Sequence, residues 1–473
     1  MNSAGFLYER IVSDTQKDFE RGIISPGDKL PSLREIAKRY GCSVASATRA
    51  YEELEIQGCV QARQKSGYYA LELPQLALPR PQDDDFPLIA EDGESPLLLH
   101  KILESAANPA ALPLGAGLPH ESLLPLGALS RSLSRCTARD GGGFARYSAP
   151  GGHLALRERI AALMRRRNCF VNPQEITITN GCTGAMHLAI MHFTKEGDTV
   201  AVESPVYPGI LQMLHQTRRR ILPLPTSPIH GVDREALHQV CKTRQVQAAV
   251  VSAVHQNPLG FVMDEQSRKE LVHMAGETGV PLIEDDIYGE LGFQSERHAP
   301  IKAFDEDGHV VLCSSFSKTL APGMRIGWIC GGKEHQELRG QNVATNLGPS
   351  PLMQAALADY LDGGGYFRHL GALGKALSRQ KAQMRDLLAH SLPKGTCLSS
   401  PAGGYYLWVE LPKEIKALTL FHRAHSEGIG IAPGPAFSSG SRFQNCIRIS
   451  FGTPITEETK VGISRLGALA KEC

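Results

Sequence analysis

Apolar residues between positions 6 and 70 follow the helical repeat in three stretches and then alternate as in a strand pair. The first stretch runs to Gly22, the second opens at Pro31-Ser32 and ends at Gly41, and the third begins at a Ser43 cap and ends at Gly58. A two-stranded hairpin is predicted over residues 60–70. The side chains expected to face the core are Phe6, Leu7, Ile11, Phe19, Ile36, Ala37, Val44, Ala47, Tyr51 and Leu54. This order of elements predicts a winged helix-turn-helix.

From about residue 96 onward, helical stretches alternate with short, continuous apolar runs. Runs rich in Val and Ile are typical of strands buried on both faces of a mainly parallel sheet, so the second unit is predicted to have an α/β fold. The predicted strands cover residues 176–179, 199–203, 248–254, 280–284, 310–313 and 326–330. Ligands of such sheets bind at the carboxyl ends of the strands, and this sequence has its polar residues there.

A stretch of different composition separates the two units. Between about 74 and 95, four prolines occur together with an acidic run that includes Asp83, Asp84 and Asp85. Proline and like charges keep a chain extended and out of a core, which is typical of a linker. The sequence therefore predicts domain boundaries at 1–73 and 96–473, with 74–95 as the linker.

Composition narrows the class of protein. The 473 residues carry a formal charge of +1, so any contact with nucleic acid must come from a local basic patch. No apolar run is long enough to span a membrane, and the start is unlike a signal peptide, so a cytoplasmic protein is expected. The eleven cysteines are scattered without metal-ligand spacing, which argues against a disulfide framework and a metal site.

A local basic patch is present in the first unit. Lys29, Arg34, Lys38, Arg39 and Arg49 face a single acid, Glu35, and the hairpin tip adds Arg63 and Lys65. A recognition helix also needs small hydrogen-bonding side chains, which Ser43, Ser46 and Thr48 supply. From pattern alone, a protein-interaction module with solvated bases is the alternative.

The first unit resembles the DNA-binding domain of the GntR transcription regulators. The resemblance rests on Gly27-Asp28-Lys29-Leu30-Pro31-Ser32, on Arg34-Glu35-Ile36-Ala37 and on the closing Gly67-Tyr68, within residues 6–69. It implies binding of double-stranded DNA through Arg34, Ser43, Ser46, Thr48, Arg49, Lys65 and Gly67. Val44 departs from the arginine common at its position.

Five segments of the second unit carry candidate chemistry. Gly181-Cys182-Thr183-Gly184 opens a helix directly after a strand, as at anion sites, although such a turn is also common as mere geometry. Tyr207 at a strand end suits either stacking or packing. Asp285 and Asp286 follow a buried strand, where carboxylates require cations. Lys318 and Arg325 share a loop with hydroxyl groups, and Asn257 follows another strand. Together they describe a phosphorylated pyridine aldehyde held by lysine.

Residues 96–473 resemble the fold-type I, aspartate-aminotransferase-like domain that binds pyridoxal 5′-phosphate, nearest in motif to the kynurenine and aminoadipate aminotransferases. The resemblance implies that Lys318 forms the Schiff base, Asp285 pairs with the ring nitrogen, and Tyr207 stacks on the ring. The other implied cofactor residues are Asn257 and Tyr288 at the ring hydroxyl, Gly181, Cys182, Thr183, Ser315, Ser317 and Arg325 at the phosphate, and Tyr147 reaching a neighbouring subunit. Arg448 would clamp an α-carboxylate.

The combination of the two domains is the architecture of the MocR subfamily. It implies a homodimeric transcription regulator that senses pyridoxal phosphate or an amino compound through aldimine exchange at Lys318. The alternative is an active aminotransferase with a secondary DNA-binding domain. The large part of the domain is expected over about 150–345 and the small part over 96–149 and 346–473. Two arginine triplets, 165–167 and 218–220, are predicted to lie on solvated faces.

Overall fold

The computed structural model describes residues 7–20, 24, 27–56, 59–63, 66–71, 81, 86–91, 97–108, 110–139, 145–293 and 297–473. The N-terminal unit consists of α1 (Leu7–Glu20), α2 (Leu33–Tyr40), α3 (Val44–Ile56) and an antiparallel hairpin of β1 (Val60–Arg63) and β2 (Gly67–Ala70). The predicted winged helix-turn-helix is thereby confirmed. Phe6, the side chain of Phe19, the helix ends predicted at Gly22 and Gly58, and Lys65 lie outside the described residues.

Local signals fix the short second helix of this unit. Ser32 caps α2 by accepting from the backbone N–H of Glu35, whose carboxylate accepts from the Ser32 N–H in return. The helix ends at Gly41, which has φ of 63° and therefore suits glycine. Its buried residues pack with Ala47, Tyr51 and Leu54 of α3.

Two predicted core positions of this unit are wrong. Val44 is 48% exposed and Leu7 is 40% exposed. Each is the first residue of its helix. Both keep the helical spacing of the apolar stripe but lie at its end, beyond the packed part of the helix.

An eight-stranded sheet forms the centre of the second unit. Its strands are β3 (Ile176–Thr179), β4 (Thr199–Ser204), β5 (Arg220–Ser227), β6 (Gly231–Val232), β7 (Ala248–Val251), β8 (Leu282–Asp285), β9 (Val310–Ser315) and β10 (Gly327–Cys330). The order is β3-β10-β9-β8-β7-β4-β5-β6, with β5, β4, β7, β8 and β9 parallel and β10 and β6 antiparallel to their neighbours. The fold class predicted from the Val- and Ile-rich runs is confirmed.

A smaller antiparallel sheet follows. Its strands are β11 (Cys397–Leu398), β12 (Tyr406–Glu410), β13 (Ala432–Pro433) and β14 (Cys446–Ser450), in the order β11-β12-β14-β13. We call this sheet with its helices α13–α15 the small lobe, and the eight-stranded sheet with its helices the large lobe. The helices are α4 (Leu97–Ala107), α5 (Leu126–Arg139), α6 (Leu154–Arg165), α7 (Gly181–Phe193), α8 (Pro208–Gln216), α9 (Arg234–Lys242), α10 (Glu265–Thr278), α11 (His335–Asn346), α12 (Pro351–Asp362), α13 (Gly365–Ser391), α14 (Ala417–Ser426) and α15 (Glu457–Lys471).

The prediction that both arginine triplets are solvated is wrong for one member of each. Arg167 is buried and donates to both carboxylate oxygens of Asp286, at 2.5 and 2.7 Å. Arg219 is buried and donates to the carbonyl and hydroxyl oxygens of Thr194, at 2.7 and 3.1 Å. The triplets mark surface segments, but in each one arginine turns inward to acceptors supplied by distant parts of the chain.

Part of the segment predicted as a linker lies along the large lobe. Within residues 86–91, Glu91 forms an antiparallel bridge with Ile221 of β5. Among the described residues, no helix is both long and apolar enough to cross a membrane.

Candidate functional site

A cavity of about 210 Å³ lies between the two lobes, at the carboxyl ends of the parallel strands. The large lobe contributes residues that follow β3, β4, β7, β8 and β9, and the small lobe contributes residues of β12, β14 and the turn before β14. The predicted site residues that line it are Cys182, Thr183, Tyr207, Asn257, Asp285, Tyr288, Ser317, Lys318, Arg325 and Arg448. Segments far apart in sequence are thus brought together by the sheet.

Lys318 enters the cavity from the loop after β9. Its Nζ donates to the carbonyl oxygen of Gly117 at 2.5 Å and lies 5.8 Å from the centre of the Tyr288 ring. The carbonyl oxygen of Lys318 in turn accepts from the Tyr405 hydroxyl of the small lobe. The amine is therefore held at the junction of the lobes, with a neutral hydrogen-bond partner.

Asp285, the last residue of β8, faces the same cavity. Burial raises the pKa of its carboxyl to about 6, while hydrogen bonds from the Ile287 N–H and the Cys182 thiol act in the opposite direction. The thiol contact joins Cys182 Sγ to Asp285 Oδ1 at 3.5 Å. A carboxyl at this cavity that has no basic hydrogen-bond partner among the described residues is suited to a ligand that brings its own positive charge.

Glycine and arginine lie close together at the start of α7. Gly181 has φ of 76°, and a Cβ there would lie 2.5 Å from Nη2 of Arg325, so only glycine allows this approach. Arg325 donates to the Ser317 hydroxyl at 3.4 Å and to the Asn180 carbonyl at 3.1 Å. The free N–H groups of a helix start beside a guanidinium are suited to a phosphate group.

Ser315 and Tyr147 have other surroundings. The Ser315 hydroxyl accepts from the Ser317 N–H at 3.2 Å and does not line the cavity. Tyr147 is 80% exposed and is absent from the cavity of its own chain. Tyr207, by contrast, is in the wall, where burial raises the pKa of its hydroxyl to about 12.

Arg448 of β14 forms the small-lobe side of the cavity. It is 4% exposed, and its two terminal nitrogens donate to Asn257 Oδ1 at 2.9 Å and to the Gly115 carbonyl at 2.7 Å. Its Nε is buried without a partner among the described residues. A buried guanidinium with neutral partners and a free donor is suited to a carboxylate ligand.

Sequence reasoning missed two residues at this site. Tyr406 lines the cavity, and its hydroxyl lies 2.7 Å from that of Tyr288 while its ring lies 4.1 Å from the Arg448 guanidinium. Glu203 is buried behind the wall, accepts from the Ser252 N–H and from Gln256, and has its pKa raised to about 8 by burial. The two consecutive tyrosines at 405 and 406 could have indicated Tyr406 from the sequence, whereas nothing in the sequence singled out Glu203.

The N-terminal unit presents its predicted DNA-contacting residues unevenly. Arg34, Ser43, Arg49 and Gly67 are exposed, and Ser46 and Thr48 are half-buried. The Ser43 hydroxyl accepts from the Ser46 N–H at 3.1 Å, and the Thr48 hydroxyl donates to the Val44 carbonyl at 2.9 Å. Arg49 lies over the ring of Tyr8 at 4.2 Å. The hydroxyls of Ser43 and Thr48 are therefore partly used within α3, and Arg34 is free of such contacts among those described.

A wider groove of about 600 Å³ lies between α9 and α10, away from all predicted site residues. Arg234 forms an ion pair with Glu270 there at 2.9 Å, and His238 Nε2 lies 3.1 Å from Glu277 Oε2. Among the described residues, no group of three or more His, Cys, Asp or Glu side chains could hold a metal ion.

Comparison with known proteins matches the two units to different families. Residues 112–466 match the aminotransferase class I and II family, and residues 7–69 match the gntR family of bacterial regulatory proteins. The HTH-type transcriptional regulators YdcR and YjiR of Escherichia coli are 34% and 30% identical, over 98% and 97% of this chain and 99% and 98% of theirs. A 2-aminoadipate transaminase of Thermus thermophilus is 30% identical over 79% of this chain and 93% of its own.

Solved structures are similar over the second unit. The α-aminoadipate aminotransferase LysN of Thermus thermophilus, in complex with N-(5′-phosphopyridoxyl)-L-leucine, gives a TM-score of 0.73 at 28% identity. The kynurenine aminotransferase of Pyrococcus horikoshii gives the same TM-score and identity. Each comparison covers 79% of this chain and 94% of the other.

Proposed function

The chain belongs to the MocR-type regulators, in which a GntR helix-turn-helix domain is fused to an aminotransferase class I and II domain, and we propose that it controls transcription in response to pyridoxal phosphate or an amino compound. The observation that carries this proposal is the coexistence, in one chain, of the winged helix with a cavity that retains Lys318, Asp285 and Arg448. A cytoplasmic location follows from the proposed DNA target.

The residues present fit pyridoxal phosphate. The start of α7 with Arg325 matches the phosphate in charge, and the Asp285 carboxyl matches a protonated ring nitrogen. When bound, the cofactor supplies an aldehyde that reacts reversibly with primary amines. Lys318 is the amine of this chain that would hold it, and Tyr207, Asn257 and Tyr288, which line the same cavity, would contact its ring.

The chain's own groups would also orient an amino-acid effector. Arg448 would bind the α-carboxylate, because its free Nε and terminal nitrogens form a fork of donors. Lys318 Nζ would hold or return a proton near the effector amine. Since Lys318 and Arg448 lie on different lobes, an effector that contacts both would draw the lobes together.

We further propose a homodimer. Tyr147 is largely exposed, as a residue donated to a neighbouring subunit must be. A dimer would present two winged helices to two half-sites of DNA, with Arg34 and Lys65 at the phosphates and Ser43 and Ser46 nearest the bases.

The second candidate function is transamination, and a specific observation favours it. The cavity contains Lys318, Asp285 and Arg448, the charged groups that the proposed chemistry uses. The chain is also 30% identical to a 2-aminoadipate transaminase over 79% of its length. Retained catalytic groups are equally expected in a sensor that reacts with amines, so turnover is the deciding measurement.

The test is a DNA titration together with a turnover assay on the full-length protein. A duplex selected by the wild-type protein from a random library is titrated with and without pyridoxal phosphate, and then with an amino-acid panel. We expect a change in affinity or footprint in wild type and none in Lys318→Ala, which should also lose at least about a hundredfold in cofactor affinity, roughly 2.7 kcal/mol. Rapid turnover without DNA binding would favour the aminotransferase instead.

A further inference from the structure

Residues 86–91, here called the strap, are attached by their backbone to the large lobe. The Glu91 N–H donates to the Ile221 carbonyl of β5 at 2.7 Å, and the Ile221 N–H donates to the Glu91 carbonyl at 2.9 Å. One residue earlier, the Ala90 carbonyl accepts from Arg220 at 3.2 Å. These bonds fix the strap along β5, the last long strand on this side of the eight-stranded sheet.

The side chains of the strap are attached to the small lobe instead. The Glu91 carboxylate accepts from Arg442 at 2.8 Å and from the Ser439 hydroxyl. Arg442 also lies 4.1 Å from the centre of the Phe86 ring. Glu91 and Arg442 are only 24% and 22% exposed, so their ion pair is less screened than a surface pair. A Cβ on Gly440 would lie 3.1 Å from Glu91 Oε1, which shows how closely this loop approaches the strap.

The loop that holds Glu91 begins at the wall of the cavity. It follows Phe437, whose ring lies 4.9 Å from the Arg448 guanidinium and lines the cavity. The Phe437 carbonyl accepts from the Val206 N–H of the large lobe at 3.1 Å, next to Tyr207. Because Ser439 follows Phe437 so closely in the chain, a shift of Phe437 also moves this partner of Glu91.

We propose that the strap is the element that reports the separation of the two lobes to the DNA-binding domain. The inference rests on the proposed function, because it assumes a ligand that changes this separation. The strap spans the lobes through Glu91, bound by its backbone to Ile221 and by its carboxylate to Ser439 and Arg442. Movement of the small lobe therefore either carries the strap along or breaks one of its attachments. Since the strap follows the winged helix in the chain, either result alters the restraint on that domain.

The coupling has a reciprocal consequence. A ligand affects DNA binding only by favouring one of two strap arrangements, and DNA must then alter ligand affinity by the same factor. Breaking the carboxylate attachment leaves both sites intact, since neither Glu91 nor Arg442 lines the cavity. Such a variant should bind DNA and pyridoxal phosphate as wild type does, with the coupling between them removed.

The experiment uses full-length Glu91→Gln and Arg442→Gln, with Glu427→Gln as the matched control. Glu427 forms a two-bond pair with Arg465 within the small lobe, at 2.7 Å each, far from the strap in sequence. Gly440→Ala is a milder third variant, because its Cβ would crowd the Glu91 carboxylate without removing a charge.

Two measurements are made with pyridoxal phosphate as the probe. The first is backbone hydrogen exchange of the 86–91 peptide with and without the probe, in the absence of DNA. The second is the ratio of DNA affinities with and without the probe, which we expect to be at least about fivefold in wild type and in Glu427→Gln, and close to one in both strap variants.

The outcomes separate the two proposals. If wild type responds and Glu91→Gln responds equally, the strap proposal is overturned while the sensor function stands. If wild-type DNA affinity does not respond, the sensor function fails. The exchange measurement tests the strap independently of DNA. Faster exchange in Glu91→Gln together with a probe-dependent change in wild type supports a strap that follows the lobes, and exchange unaffected by the probe overturns the proposal.

Discussion

Arg167 and Arg448 are each 4% exposed, yet their surroundings are opposite. Arg167 has a carboxylate partner in the chain, since it donates to both oxygens of Asp286 and also to the His298 carbonyl at 2.9 Å. Arg448 has only neutral partners and a buried, unbonded Nε among the residues that the structure describes. A buried charge whose partner lies in the chain is compensated within the fold, whereas one without such a partner indicates the charge that a ligand must bring.

The adjacent acids Asp285 and Asp286 repeat this difference. Asp286 points to Arg167; burial alone would lower the pKa of the Arg167 guanidinium, but pairing with this carboxylate raises it. Asp285 points to the cavity, where burial raises its pKa to about 6. One residue of separation at the end of β8 sends the two carboxyls to opposite sides, so one contributes to the fold and the other to the site.

The largest expected effect comes from breaking the buried ion pair of Arg167 and Asp286. Arg167→Met should reduce the free energy of unfolding by about 3–5 kcal/mol, because it leaves the Asp286 carboxylate buried without its partner. Urea unfolding of the cofactor-free protein measures this loss. Arg166→Met is the control, since Arg166 is an exposed neighbour in the same triplet. An Arg167 variant as stable as the control would contradict the structural role.

Arg448→Met tests the buried guanidinium that has only neutral partners. Its expected effect is smaller and is on ligand affinity, not on the free energy of unfolding. We expect the affinity for amino acids to fall about 30- to 150-fold, which corresponds to about 2–3 kcal/mol for a charged hydrogen bond. Affinity for the corresponding decarboxylated amines should not change. Spectroscopic titration of the cofactor-loaded protein measures both. Equal losses for the two ligand classes would remove Arg448 from the carboxylate site, and Arg448→Lys tests the need for a fork of donors.

The pKa of Asp285 predicts a pH dependence of cofactor binding. Below pH about 6 the carboxyl is neutral in the ligand-free protein and offers no counter-charge, so cofactor affinity should fall by up to about tenfold per pH unit as pH decreases. Conversely, the raised pKa makes the ligand-free protein less stable as pH rises from 3.8 through about 6. Thermal unfolding with and without pyridoxal phosphate measures both trends.

Asp285→Asn is the control for that profile. The phosphate and ring of the ligand also titrate in this range, and the variant retains their contribution while it lacks the carboxyl. The difference between the two profiles therefore belongs to Asp285. Identical slopes in wild type and variant would contradict the assigned pairing with the ring nitrogen.

Motifs allowed much of the fold and the cavity to be predicted. Lys318 and Asp285 each follow a recognisable buried strand, and the geometry of parallel sheets brings such strand ends together. The prediction failed for Arg167 and Arg219. Three consecutive arginines indicate a surface segment, but they do not indicate which of the three bonds an acceptor elsewhere in the chain. Burial of a charge depends on partners that lie far away in sequence, such as Asp286 and Thr194.

The strap and Tyr406 show a second limit. Proline- and acid-rich composition predicts a linker over residues 74–95, but it does not indicate that Glu91 meets Arg442, 351 residues later. Tyr405 and Tyr406 are consecutive where β12 begins and point in different directions, so the sequence contains both rings without indicating which enters the cavity. Long-range pairing and the assignment of faces required the structure.

The smallest expected effect sharpens the comparison at the cavity itself. Tyr406→Phe keeps the ring beside Arg448 and removes only the hydroxyl that bonds Tyr288 at 2.7 Å, so we expect a loss of about 1 kcal/mol in cofactor affinity, or about fivefold. Tyr366→Phe is the matched control, because it removes a buried hydroxyl bonded to Thr319 outside the cavity. If Tyr406 acts through Tyr288, then Tyr288→Phe should give a loss of similar size and the double variant should add little to it. Equilibrium dialysis of the cofactor measures the wild type and the four variants, and full additivity of the two losses would show that the hydroxyls act independently.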